Sequence, residues 1–236
     1  MHGFDQLWIW DDPDVAGGLG WYRDVARGAK PAKFRIARSI AAETPPDADE
    51  EDLWREIDRL TPVFEDRRRA LGGEGDAAAP AEGPNLLGLV RELAHRMLSH
   101  CNFCRWDCRV DRTQGAKRGT CKLDAGTRVS TFFHHLGEEI VYRGRLGSGT
   151  IFFTSCNMRC AFCQNGDIST DKDNGMAVDA GTLAAMAWIL GREGCHNINW
   201  VGGDPTIHLH AIVDAVSILG EPDYRPAEAA LAAALR

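Results

Sequence analysis

The residues best suited to chemistry in this 236-residue sequence are its eight cysteines, which are unevenly distributed. Four of them lie within residues 101–121, three lie within residues 156–163, and Cys195 stands apart. In a reducing compartment, thiols grouped in this way indicate metal ligands rather than disulfides. We therefore expect two metal-binding segments, and we assign no function to Cys195.

The second group has the spacing C-x3-C-x2-C, at Cys156, Cys160 and Cys163. Three thiolates are one ligand short of the tetrahedral set that a structural zinc ion prefers. A [4Fe–4S] cluster held by three cysteines instead leaves one iron open to an outside ligand. The spacing alone leaves two other interpretations open: a zinc site completed by a nearby histidine, and three cysteines without any metal.

The first group supplies four thiolates within 21 residues, in the pattern C-x2-C-x3-C-x12-C. A complete four-sulfur site of this kind can hold either structural zinc or an auxiliary iron–sulfur cluster, and the spacing does not separate the two. The alternative is a small knuckle of thiols that is stabilised by packing alone. The four residues concerned are Cys101, Cys104, Cys108 and Cys121.

Short apolar runs predict the elements that position the second cysteine group. Residues 151–153 predict a buried strand that runs directly into the cysteines, and residues 196–201 predict a second strand. A helical pattern lies between these strands, and another follows over residues 209–216. This alternation predicts a parallel sheet with right-handed crossovers. The two loops after the strands, 154–165 and 202–206, would then meet at the C-terminal edge of the sheet, where ligands collect.

Composition divides the sequence into an N-terminal helical region, a linker rich in glycine, alanine and proline, a cysteine-rich segment with a helix, and a core of strands and helices. These four segments are residues 1–71, 72–84, 85–148 and 149–236. In the helical region, an apolar stripe with helical spacing is formed by Leu53, Ile57, Leu60 and Phe64. Within the cysteine-rich segment, Ile140-Val141-Tyr142 predicts a short strand.

The overall charge limits the classes of partner. A net charge of −7 argues against nucleic acid or an anionic membrane as the main partner, because both require a basic face. No apolar stretch approaches the roughly 18 residues that are needed to span a bilayer. The N-terminus also lacks the basic and apolar regions of a signal peptide. We therefore expect a cytoplasmic protein.

Residues 150–165, TIFFTSCNMRCAFCQN, resemble the cluster loop of the radical S-adenosylmethionine (SAM) superfamily, and their details are closest to the branch of pyruvate formate-lyase-activating enzymes. About forty residues later, Gly202-Gly203-Asp204-Pro205 is similar to the GGE(P) motif of that superfamily, with aspartate in place of the commoner glutamate. The first cysteine group resembles the segment that precedes the cluster loop in one subset of activase-like proteins.

The resemblance implies an enzyme whose [4Fe–4S] cluster, held by Cys156, Cys160 and Cys163, reductively cleaves SAM to a 5′-deoxyadenosyl radical. That radical abstracts hydrogen from a substrate that the sequence does not name. The position of Phe162 matches the aromatic residue that packs against the adenine of SAM, and Gly202 to Pro205 match the site that receives the methionine amino group. A flavodoxin or ferredoxin is implied as the electron donor.

The superfamily core is a barrel of about six strand–helix units, which would take roughly 180 residues, whereas residues 149–236 supply 88. We therefore expect an α/β fold with an incomplete parallel barrel, preceded by a cysteine-rich knuckle and an N-terminal helical region. Three interpretations follow: a truncated sequence, a split enzyme completed by a partner, or a metal-binding accessory or electron-transfer protein without turnover. A protein substrate is also consistent with the activase-like branch.

Overall fold

The computed structural model describes residues 8–71, 79–115, 117–221 and 223–236, so most of the linker predicted over residues 72–84 lies outside the described residues. The chain divides into two compact units, each with its own buried core. The first unit consists of the described residues up to Leu93 together with Glu139–Arg145. The second consists of Ala94–Glu138 and Leu146–Arg236, and it contains all eight cysteines.

The first unit is helical, as the sequence predicts for its N-terminal part. Three acidic residues in the first turn of its longest helix complement the helix dipole. The predicted apolar stripe is confirmed, because Leu53 and Leu60 are buried while Ile57 and Phe64 pack against the same cluster. The helices of this unit are α1 (Pro13–Ala26), α2 (Lys33–Arg38), α3 (Glu50–Ala70), most of α4 (Leu86–Arg96) and α5 (Ile140–Arg143).

The strand predicted at Ile140-Val141-Tyr142 is wrong, because these residues form the single helical turn α5. Val141 is buried in the same cluster as Trp10, and the ring of Tyr142 meets that of Tyr22 edge-on at a centroid distance of 5.6 Å. Three consecutive apolar residues have no measurable periodicity, so the run fits a strand and a buried helical turn equally well.

The second unit is built on a four-stranded sheet with the strand order β3-β1-β2-β4. The parallel pairing of β2 with β4 brings Phe153 opposite Gly202, as expected for the two strands predicted from the sequence. However, β1 is antiparallel to both of its neighbours, so the sheet is mixed rather than parallel throughout. The strands are β1 (Thr127–His135), β2 (Ser148–Phe153), β3 (Met176–Val178) and β4 (Ile198–Gly202).

Strand β1 was not predicted, although it is the longest strand of the sheet. Its sequence, TRVSTFFHH, mixes polar and apolar residues without a clear alternation, and of its apolar residues only Val129 is buried. A strand of this kind is stabilised mainly by its pairing with β2 and β3, which are distant in sequence. Local pattern therefore does not reveal it.

Helices complete the core of the second unit. Leu183, Met186 and Leu190 of one helix are buried with Ile151 and Phe153 of β2 in a single cluster. The side chain of Asp179 caps this helix by accepting a 2.7 Å hydrogen bond from the N–H of Thr182. The helices are α6 (Gly166–Thr170), α7 (Ala180–Arg192), α8 (Leu209–Leu219) and α9 (Glu228–Ala234), with a 3-10 turn at Pro205–His208. None of the helices in the described ranges is long and apolar enough to cross a membrane.

The C-terminal end of β4 packs very closely on the chain that follows β2. A Cβ atom at Gly203 would lie 1.5 Å from the carbonyl oxygen of Ser155, and one at Gly202 would lie 2.4 Å from that of Phe153. Gly202 also has φ of +105°. The N–H of Gly203 donates to Phe153 O at 2.9 Å. These two positions therefore require glycine.

We predict that Gly203→Ala destabilises the protein by at least about 2–3 kcal/mol, because the new methyl group would overlap a backbone oxygen that cannot move freely. Gly191→Ala is the matched control, since a Cβ at this helical position meets nothing within 4 Å and alanine favours a helix. Urea unfolding measures both variants. Equal midpoints for Gly203→Ala and Gly191→Ala would contradict the close packing.

Candidate functional site

The predicted cysteine loop leaves the C-terminal end of β2 in a constrained conformation. Ser155 has φ of +69° and Arg159 has φ of +52°, which are unusual values for residues other than glycine. The backbone of Ser155 is held by its N–H, which donates to Ile168 O at 2.8 Å. Its hydroxyl donates to Cys121 O, so the loop is tied to the first cysteine group. Such backbone strain is typical of functional loops.

All three cysteines of the second group line one cavity of about 570 Å³, together with Cys121 and Gly203. The N–H of Met158 donates to Cys156 Sγ at 3.2 Å, and Cys163 Sγ lies 3.5 Å from the hydroxyl of Ser169. Hydrogen bonds of this kind stabilise a thiolate and tune the metal that it binds. The structure therefore brings the three predicted ligands to the same cavity.

The thiols are not drawn together into a closed ligand set. In the described part of the chain, no group of three or more His, Cys, Asp or Glu side chains is close enough to hold a single metal ion. Three soft sulfur donors around a cavity of this size nevertheless fit a larger inorganic cluster better than a lone hard cation. The residues present are thus compatible with a [4Fe–4S] group.

The Gly202 to Pro205 segment lies beside this cavity. The carboxylate of Asp204 accepts a 2.9 Å hydrogen bond from the N–H of Thr206 and so caps the following 3-10 turn, in which Pro205 is the first residue. The N–H of Asp204 donates to Ser155 O at 3.1 Å. The two glycines make room for the backbone of the cysteine loop, and their contact with a cofactor remains a prediction.

Phe162, the residue predicted to pack against adenine, is 91% exposed in this structure. Met158 in the same loop is 59% exposed. Exposed apolar side chains that lie in one patch can mark a site for a ligand or partner. The position of Phe162 therefore agrees with a ligand-binding role, which remains a prediction.

The first cysteine group forms a compact turn. Cys101 N–H donates to Val110 O, and Arg109 N–H donates to Cys101 O, both at 3.0 Å. Cys101 and Cys121 are buried, whereas Cys104 and Cys108 are half-buried. Burial raises the pKa of the Cys121 thiol. Cys101 and Cys108 pack in one apolar cluster and Cys121 lies in another, and the four thiols do not form a metal-binding set among the described residues.

Arg112 is a structural residue of the site that sequence analysis missed. Only 1% of it is exposed, and its guanidinium donates to the carbonyls of Asp124 and Ile207, each at 2.9 Å. It lies 5.3 Å from the ring centroid of Phe103. Arg112 therefore joins the cysteine-rich segment to the turn that follows Asp204. In the sequence it lies among several exposed basic residues, so nothing in the local pattern distinguishes it.

Two histidines are buried in the same region. His208 stacks on Phe153 at a centroid distance of 4.9 Å, and its Nε2 atom lies 3.1 Å from Thr154 O. His210 Nε2 lies 2.9 Å from Ala125 O. Burial lowers the pKa of His208 to about 3 and that of His210 to about 4, with a further contribution from the charge of Arg112. Both side chains are therefore neutral at physiological pH and act as structural hydrogen-bonding groups.

Comparison with known proteins gives two matches. Residues 150–231 match the family described as the radical SAM superfamily. The chain is 36% identical over 213 residues to an uncharacterized protein of Methanocaldococcus jannaschii, in an alignment that covers 85% of this chain and 58% of the relative. The chain thus spans little more than half of that relative's length. No solved structure gives a significant match.

We predict that Arg112→Lys destabilises the protein by roughly 2–4 kcal/mol, because a lysine ammonium lacks the fixed planar geometry with which the guanidinium reaches both carbonyls and would leave one buried carbonyl oxygen unsatisfied. Arg225→Lys is the matched control, since Arg225 is exposed and bonds only its neighbour's carbonyl among the contacts of the described residues. Denaturant unfolding measures both. An Arg112→Lys midpoint within error of the control would contradict this role.

We also predict that stability falls as the pH decreases from 7 to 5. The unfolded chain protonates its histidines near pH 6.5, whereas folded His208 and His210 resist protonation until about pH 3 and 4. The unfolded state therefore binds more protons in this window, which costs about 2 kcal/mol of stability per histidine. His134 opposes the trend slightly, because hydrogen bonding to Glu193 raises its pKa.

The measurement is urea unfolding at several pH values, for the wild type and for His208→Phe. Phenylalanine can retain the stacking on Phe153 but cannot be protonated, so the variant should lose less stability than the wild type on acidification. An identical pH dependence in the two proteins would show that His208 is not the source.

Proposed function

Residues 150–231 are a domain of the radical SAM superfamily, and on this premise we propose that the chain holds a [4Fe–4S] cluster and uses it to cleave SAM reductively. The observation that carries the proposal is the single cavity lined by Cys156, Cys160 and Cys163, directly after a parallel strand. The other strand of that parallel pair ends at Gly202, and Gly202 and the following Gly203 pack against the chain that leaves β2.

In this proposal Cys156, Cys160 and Cys163 would hold the cluster in the cavity that they line. The backbone N–H of Met158 and the hydroxyl of Ser169 stabilise the negative charge on Cys156 and Cys163. When bound, such a cluster supplies the electron that breaks the sulfonium bond of SAM. The protein itself orients the cofactor and limits access of water to the site.

We propose that SAM lies between the cysteine loop and the end of β4. The carboxylate of Asp204 is oriented by its hydrogen bond to Thr206 and would accept the methionine amino group. Gly202, Gly203 and Pro205 would shape the same site. Phe162, whose ring is exposed, would pack against the adenine.

We propose the reaction that follows SAM cleavage from the sequence resemblance to the activating-enzyme branch. The radical would abstract hydrogen from a substrate, which in that branch is a glycyl-radical protein. Because the chain spans 58% of its relative's length, residues outside it are expected to contribute to substrate binding in the whole protein. Alternatively, a partner protein that completes the barrel would supply these contacts with the substrate.

We also propose a second metal at Cys101, Cys104, Cys108 and Cys121. Cys108 Sγ lies within 3.8 Å of the Thr120 hydroxyl, beside Cys121, and a Cβ atom at Gly119 would lie 2.9 Å from the same sulfur. The four thiols lie within residues 101–121, and Cys101 and Cys121 are buried, which is compatible with a structural site. Zinc and iron analysis of the purified chain distinguishes a zinc knuckle from an auxiliary cluster.

The alternative is a metal-binding accessory or electron-transfer protein that uses the same cluster without turnover. Because the cysteine cavity is compatible with both functions, the formation of 5′-deoxyadenosine from SAM distinguishes them. We predict that the anaerobically reconstituted, dithionite-reduced protein releases 5′-deoxyadenosine from SAM. Cys156→Ala should reduce this by at least about 100-fold, because it removes a ligand of the cluster.

Cys195→Ala is the matched control. Burial and the nearby charge of Glu193 raise the pKa of Cys195 to about 11, so its thiol is a poor metal ligand and its removal should leave the product yield unchanged. Liquid chromatography with mass spectrometry measures 5′-deoxyadenosine, and iron and sulfide analysis measures loading. Full loading of the wild type without product would support the accessory function instead.

A further inference from the structure

The charge of the second unit is unevenly distributed around the cysteine cavity. The whole chain has a net charge of −7, yet residues 101–122 contain six lysines and arginines against two aspartates. Arg112 is buried, and the other five cations are exposed. A basic surface therefore lies within a predominantly acidic protein.

An exposed aromatic residue, Trp106, lies among these basic residues. Trp106 is 49% exposed, and its Nε1–H donates to Asn157 O at 2.7 Å, one residue from Cys156. The guanidinium of Arg105 lies 6.0 Å from the indole centroid. Arg109, in the same loop, is exposed and pairs with Asp107 at 2.6 Å. The loop that carries Trp106 is thus in direct contact with the predicted cluster loop.

The mouth of the cavity continues the same surface. Lys122, Met158 and Arg159 line the cavity and are all exposed. The Arg159 guanidinium donates to Thr120 O at 2.7 Å, so the cysteine loop and the first cysteine group are joined a second time. Within the described ranges, no carboxylate forms an ion pair with Arg105, Lys122 or Arg159. Their charges are therefore available to a partner.

We propose that this surface, formed by Arg105, Trp106, Arg109, Lys122, Met158 and Arg159, docks an acidic one-electron carrier protein beside the cluster. The inference rests on the proposed function, because it assumes a cluster at Cys156, Cys160 and Cys163. The reduced carrier gives up one electron and the cluster accepts it, with no atom transferred. The carrier would contact the cysteine loop at the mouth of the cavity that the three cysteines line.

The chemistry of the surface favours a protein over a polyanion. Tryptophan, methionine and arginine are the residues enriched at the centres of protein interfaces. Complementary charges around such a centre accelerate association with an acidic partner.

The test compares R105E/R109E with the wild type, using the reconstituted full chain and an acidic flavodoxin as the probe. Two quantities are measured: the flavodoxin dissociation constant, and the rate at which reduced flavodoxin bleaches the visible absorbance of the cluster. Reversal of two charges should weaken binding by about tenfold or more at low salt and slow bleaching in parallel. The difference should shrink near 1 M salt, where the screening length is about 3 Å.

R225E is the matched control, because Arg225 is an exposed arginine of the same unit beyond the C-terminal end of α8, whereas the proposed surface belongs to the loops that precede α8. It should bind flavodoxin as the wild type does. R105Q/R109Q, which removes the charges without adding acids, should give an intermediate affinity. Reduction by dithionite, which needs no docking, should proceed at the wild-type rate in every variant.

Three results would overturn the proposal: unchanged flavodoxin affinity in R105E/R109E, an equal loss in R225E, or tighter binding of an RNA oligonucleotide than of flavodoxin at this surface. Failure of the proposed function gives a different pattern. In that case the cluster would be reduced by flavodoxin in a charge-dependent way, but no 5′-deoxyadenosine would form.

Discussion

The site depends on one steric constraint, the absence of side chains where β4 ends against the cysteine loop. At Gly203, a Cβ atom would lie 1.5 Å from Ser155 O, so the backbones of the two segments are in contact. Hydrogen bonds from the N–H groups of Gly203 and Asp204 then fix the distance between them. Because of this contact, the thiol cavity and the Asp204 carboxylate belong to one rigid edge of the sheet.

Buried polar groups extend that rigidity to the cysteine-rich segment. Arg112 donates to the carbonyl of Asp124 in the cysteine-rich segment and to that of Ile207 in the turn after β4. The neutral side chains of His208 and His210 form hydrogen bonds with backbone carbonyls of neighbouring loops. These hydrogen bonds join different segments of the chain and so favour one arrangement of them. One nitrogen of each side chain, Arg112 Nη2, His208 Nδ1 and His210 Nδ1, has no hydrogen-bond partner among the described residues. The two histidines also couple the stability of this region to pH, because protonation of either histidine favours the unfolded chain.

The contact between β4 and the cysteine loop places chemically different groups close together. The cavity presents soft thiols, the end of β4 presents a carboxylate, and the loop around Trp106 presents exposed arginines. The SAM site proposed beside β4 and the carrier surface proposed beside the first cysteine group would therefore both lie close to this cavity.

The sequence by itself determined the features that depend on local spacing: the cysteine pattern, the family resemblance of residues 150–165, the apolar stripe of α3, and the β2 and β4 strands that form the parallel pair. Only the tertiary structure decided the antiparallel β1, the helical turn at Val141 and the burial of Arg112. These depend on pairing and packing between residues distant in the chain, and their own sequences have no periodicity that reveals them. Gly202 and Gly203 illustrate both cases. Their motif can be recognised in the sequence, whereas the contact of Gly203 with Ser155 is seen only in the folded chain.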